Sequence, residues 1–69
     1  MNTNILLLHF FEDQEIARIS FGENLAKAIE FTAIIIKNSF QLGDHNLIVK
    51  DEGTGKILFT SGYRILKED

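Results

Sequence analysis

With no cysteine in 69 residues, this chain must hold its fold by burial and hydrogen bonding alone. Domains so short bury only about 60% of the surface that their unfolded chains expose, and most of them add disulfides, a structural metal or a second subunit. The first is excluded here, and a thiolate zinc site goes with it. Two histidines, His9 and His45, are the remaining soft ligands, and two imidazoles make an incomplete metal site. No cofactor or metal is therefore expected. The length allows one core, so residues 1–69 are read as a single domain, and association with another subunit becomes the simplest way to bury more surface.

Charge narrows the partners. Ten acidic and seven basic residues leave a net charge of −3, scattered along the chain. That gives neither a basic footprint for nucleic acid nor a dense acidic stripe, so no nucleic acid is expected. Residues Met1 to Asn4 lack the positive region and cleavage site of a secretory leader, and no apolar run approaches the roughly 20 residues that span a bilayer. The chain reads as a soluble cytoplasmic protein with no membrane contact.

The pattern of apolar residues predicts an α+β fold of order ββαββ. Ile5 to Phe11 is a dense apolar run, too short for a typical helix and closed by the polar stretch Glu12 to Glu15. Alternation puts Ile5, Leu7, His9 and Phe11 on one face and Leu6, Leu8 and Phe10 on the other, as in a central strand. Glu15 to Phe21 alternates as a half-exposed strand, with Ala17, Ile19 and Phe21 on one side, and should pair with the first strand as a hairpin. Ser20 and Glu23 have the spacing of a capping box, and Asn24 is an equally good cap one turn later. From Asn24 to Phe40 the period becomes helical, with Leu25, Ala28, Ile29, Thr32, Ile36 and Phe40 as the core stripe. Asn38, Gly43 and Asp44 are available to end this helix, and glycine is the usual left-handed stop residue. Leu47 to Lys50 and Ile57 to Thr60 then flank a turn containing Gly53 and Gly55, which suit positive φ. Tyr63 to Leu66 is a candidate fifth strand or a docked tail.

This order makes an antiparallel or mixed sheet with one helix packed across one face, and one helix covers one face only. The open face should be polar in water, yet the first strand offers apolar residues to both sides, and Ile48 and Leu58 fall out of phase with Leu47, Val49, Ile57 and Phe59. The helix raises a second question, because Phe31, Ile34 and Ile35 lie beside and behind its core stripe, where a helix on a sheet usually shows charge. Ordinary packing by the strands or the C-terminal segment would account for part of this surface. The sharper expectation is that Phe31, Ile34 and Ile35 form an oligomer or partner interface.

Candidate chemistry is thin. Gly53-Thr54-Gly55-Lys56 resembles a phosphate-binding loop only superficially, because the glycine spacing is short and a strand, not a helix, follows. Asp44 beside His45 could orient an imidazole, and His9 could join it. His9 nevertheless falls among Leu7 and Phe11, where a core histidine is commoner than a ligand. The acidic groups Glu12, Asp13, Glu15 and Asp51, Glu52 read as solvated turns, since calcium needs oxygens converging from fixed loop positions. Ser20, Ser39 and Ser61 lack the strand-to-helix elbow of a nucleophile. No catalytic residue is expected. The expectation is a non-catalytic protein-binding module, homodimeric, acting by occupying a partner surface. Its outline is common among small regulatory and inhibitor-type proteins, phage and mobile-element ones included. The alternative is a small-ligand-binding or enzymatic domain with a pocket at a subunit interface near His9 and Tyr63.

Overall fold

The computed structural model describes residues 3–67; Met1 and Asn2, read above as part of a leaderless start, and Glu68 and Asp69 lie outside the described residues. The elements run β1 (Ile5–Phe11), β2 (Gln14–Ser20), α1 (Leu25–Lys37), β3 (Gly43–Asp51) and β4 (Ile57–Ile65). They make one four-stranded sheet of order β2-β1-β3-β4 with every neighbouring pair antiparallel. This is the small α+β ββαββ fold read from the sequence, and β1, apolar on both faces, is one of its two central strands.

Turn chemistry sets the registers. The β1–β2 hairpin closes on Glu12 and Asp13, both at positive φ (48° and 68°), a backbone that matches the right-handed twist of the strands but usually recruits Asn or Gly. The register shifts between His9 and Phe10, which pair with Ala17 and Glu15, so Ile16 is the extra residue of a bulge. In the β3–β4 turn only Gly55 takes the left-handed backbone, at φ 76°. Gly53 instead donates its N–H to the Asp51 carboxylate at 2.9 Å. Tyr63 to Leu66 forms no fifth strand. Its first three residues continue β4 straight through Gly62, which faces Asn46 across the ladder. An added Cβ there would stand 2.9 Å from Asn46 Oδ1, so this glycine admits a close neighbour and does not break the strand.

The helix begins and ends on asparagines. Asn24 Oδ1 accepts from the Lys27 amide at 2.9 Å, which satisfies one of the free first-turn donors. Ser20, the other candidate cap, stays in β2 and donates to Asn4 Oδ1. At the far end Asn38 donates its backbone N–H to Ile34 and Ile35 carbonyls, and its side-chain amide to Ile34 O at 2.8 Å. The helix therefore stops before Phe40. Gly43 is not its stop residue; it opens β3 at φ 129°, where a Cβ would come within 2.9 Å of the Glu12 carboxylate and the Phe11 ring.

Helix rotation is the main correction to the sequence reading. Ala28 and Thr32 are the buried helical residues, and Phe31, Ile35 and Ile36 pack against the core of Ile5, Leu7, Ala28, Leu47 and Val49. The buried stripe is thus 28, 31, 32, 35, 36, an i, i+3, i+4, i+7, i+8 pattern. Leu25 and Ile29, assigned to the core stripe above, are each 36% exposed, and Phe40 is 86% exposed. Two facts account for the rotation. Small Ala28 and Thr32 let the helix approach the sheet closely, and the Phe21 ring meets Phe31 at 5.7 Å between centroids. On the opposite, open face of the sheet, Leu6 and Leu8 are buried (4% and 5% exposed), flanked by Ser20 and Arg18 on β2 and by Lys50 and Ile48 on β3.

Candidate functional site

Strand alternation carries the helix-facing row of β1 from Ile5 and Leu7 on to His9 and Phe11, and the rows of β3 and β4 on to His45 and Tyr63. At this end α1 has stopped, and the 38–42 connection lies over the sheet. A polar and aromatic cluster fills the space. His9 Nε2 and His45 Nδ1 are 2.9 Å apart, and His45 Nε2 is 2.7 Å from the Gln41 carbonyl oxygen. The His45 ring stacks on Tyr63 with 4.7 Å between centroids and 5° between planes, while Phe11 packs against the same imidazole at 4.9 Å. Tyr63 Oη shares a 2.9 Å hydrogen bond with Ser39 Oγ.

Hydrogen-bond logic fixes the tautomers. A carbonyl only accepts, so His45 Nε2 carries a hydrogen and donates to Gln41. Neutral His45 then presents the lone pair of Nδ1, which accepts the Nε2–H of His9. His45 is 2% exposed and His9 9%. Burial holds the His9 pKa below the usual histidine value, and the charge that His45 can carry adds to the effect.

The two histidines noted in the sequence are thus brought together, but Asp44 does not orient them. Its side chain projects to the open face, where it forms a two-pronged ion pair with the Arg64 guanidinium. That hydrogen bond holds the Asp44 carboxyl below the ordinary carboxylate range. The His45 ring stands between His9 and Tyr63, in contact with both. Among the described residues no three His, Cys, Asp or Glu side chains converge as a metal site would require, and no helix is long and apolar enough to cross a membrane. On the open face, a groove of about 410 Å³ runs beside Glu12, Asp44 and Arg64. It shares Asp13 and Asn46 with a second groove of about 310 Å³ reaching Phe10 and Ile48.

The cluster also shapes the surface above it. Ser39 and Gln41 are tied down through Tyr63 and His45, and the residues alternating with them turn outward: Phe40 is 86% exposed and Leu42 52%. Ile34, in the last turns of α1, is 46% exposed. Of the three interface residues expected from the sequence, Ile34 is therefore at the surface, whereas Phe31 and Ile35 are half-buried against the chain's own core. Phe40 and Leu42 were missed as surface residues because helical periodicity carried Phe40 into the core stripe. The signal that could have found them is Asn38, a good cap, two residues earlier. Comparison with protein-family models, curated proteins and solved structures gives no match.

Proposed function

We propose that this chain is a non-catalytic protein-binding module that acts by occupying a surface of another protein, and that it associates with a second copy of itself. The observation that carries the reading is Phe40, 86% exposed on a connection anchored on both sides of it by Ser39 and Gln41. A large apolar side chain held in water by an ordered backbone is the kind of anchor that binding partners bury, since little further ordering is required on association. Leu42 and Ile34 extend the same end of the molecule. Phe31 and Ile35 support this surface from behind by fixing the helix on the sheet. The net charge of −3 favours a protein over a nucleic acid as the partner, and a cysteine-free chain suits the reducing cytoplasm.

Light scattering across micromolar concentrations tests the self-association. The parent should give a dimer mass, and Phe40→Asp and Ile34→Lys should shift it to monomer while the circular dichroism spectrum stays unchanged. A monomer mass for the parent throughout, with stability independent of concentration, would remove self-association. Retention of a stoichiometric partner by the Phe40→Asp variant would move the binding surface elsewhere.

A further inference from the structure

The His9–His45 contact has an arithmetic of protons that apolar packing lacks. With His45 Nε2–H committed to Gln41 O at 2.7 Å, one further hydrogen lies between the two rings, on His9 Nε2, directed at His45 Nδ1 over 2.9 Å. A proton added at His9 Nδ1 leaves both hydrogen bonds in place. A second would have to sit on His45 Nδ1, and two N–H groups would then face each other head-on in a site where both rings are buried. Like charges in contact without water are strongly unfavourable.

We propose that the His9–His45 pair is a pH-sensitive clasp: carrying at most one proton, it ties the 38–42 connection to the sheet, and a second proton releases that connection with Phe40 and Leu42. Among the described residues the Asp44 carboxyl feels a charge on His45, but its ion pair with Arg64 leaves it to offset the second charge only in part. The connection Asn38-Ser39-Phe40-Gln41-Leu42 contains no charged residue. From β4 the group facing His45 is the Tyr63 ring. On β3, Asp44 is turned to the opposite face and occupied by Arg64. Past the end of β1, Glu12 and Asp13 line one groove with His45 and Tyr63, but both are exposed, where water screens them. On β2 the residue opposite His9 is Ala17, and Glu15 and Arg18 pair with each other. The basic residue in the last turn of α1, Lys37, is exposed and brings no negative charge to the pair.

The sign of the effect follows from linkage. Free histidines titrate near 6.5, so below about pH 6.5 the released state binds more protons than the clasped one. The clasp is complete above that value and weakens as pH falls, by up to about tenfold per pH unit for each proton withheld. Its bearing on partner binding rests on the function proposed above. The clasp itself needs no partner, so the two can fail separately.

Nitrogen-detected NMR of the free protein between pH 8 and pH 5.5, where carboxylates with ordinary or lowered values stay ionised, tests the clasp directly. One imidazole should take up a proton with the connection still ordered. Uptake of the second should coincide with a fall of the backbone order parameters at residues 39–42 below about 0.6, while Leu7, Leu47 and Val49 stay near 0.85. His9→Gln, whose amide can donate to His45 Nδ1 without titrating, should keep the connection ordered at pH 5.5. Two protonated imidazoles with residues 39–42 still ordered would overturn the proposal. So would order lost equally in the connection and the strands, because the pair would then govern global stability only. Should His9→Gln fail to fold, the titration of the parent protein by itself separates these outcomes.

Discussion

The helix side of the sheet has two ends built from the same strands by opposite means. At one end Ile5, Leu7, Leu47 and Val49 lie under Ala28, and the buried side-chain hydrogen bond beside them, from Thr32 Oγ1 to the Ala28 carbonyl, stays within the helix and ties it to no strand. At the other, His9, His45 and Tyr63 lie under a helix-free connection, with one hydrogen bond between the two imidazoles and two more from His45 and Tyr63 to Gln41 and Ser39 of the connection. The apolar end is held by area, which is non-directional and indifferent to pH. The polar end is held by donors and acceptors that must face the right way, and each side-chain bond there contributes only about 0.5–1.5 kcal/mol net. Stability should therefore be concentrated at the first end and adjustability at the second.

Leu47→Ala breaks the comparison hardest. Leu47 is fully buried, and truncation should cost about 2–5 kcal/mol, most of what a domain this size possesses. Urea titration should give the same loss at pH 7.5 and pH 6. A loss that changed with pH would show that the two ends are not separable.

His45→Phe comes next. The ring can still stack on Tyr63 and pack on Phe11, so the variant isolates the two hydrogen bonds. Leaving the His9 donor and the Gln41 carbonyl unpaired should cost about 1–3 kcal/mol. The connection should loosen more than the strands do. An unchanged urea midpoint would mean that ring packing, not hydrogen bonding, holds the polar end.

The smallest effect is expected from Tyr63→Phe, which keeps the stack and removes the bond to Ser39. That bond is only part-buried, and water can replace it, so the cost should stay at or below about 1 kcal/mol. A loss as large as that of His45→Phe would make Tyr63 and Ser39 the principal anchor of the connection in place of the histidines.

The two ends also differ in how far the sequence revealed them. Ile5–Phe11 was legible to the residue because a run apolar on both faces ends abruptly at acidic residues. Helix rotation was not, because Leu25, Ile29 and Phe40 match Phe31 and Ile35 in hydropathy. The choice was made by the small residues Ala28 and Thr32 and by Phe21 on another segment. The use of Gly62, admitting the Asn46 side chain, exists only once β3 and β4 are paired, so Tyr63 to Leu66 looked like a separate piece. His9 and His45 were both noticed, but their meeting depends on the β1–β3 register, in which Phe11 faces His45 and His9 faces Leu47. No local pattern contains that register. The exposed tip at Phe40 and Leu42 was hidden for the same reason, since its anchors are 4 and 24 residues away in sequence.

The sheet order β2-β1-β3-β4 has a consequence for how the protein is made. β1 leaves the ribosome before the other strands, yet its second neighbour, β3, is separated from it by β2 and a whole helix. Until β3 arrives, β1 can pair on one side only, through β2. The Ile-Leu-Leu-Leu-His-Phe-Phe segment meanwhile offers its other edge, without proline or charge, to any strand that reaches it first. The order of synthesis thus puts the segment most prone to aggregation at the head of the queue. Early closure of the tight Glu12–Asp13 hairpin, a microsecond event by its loop length, is what shelters half of that segment while the rest of the chain is still being built.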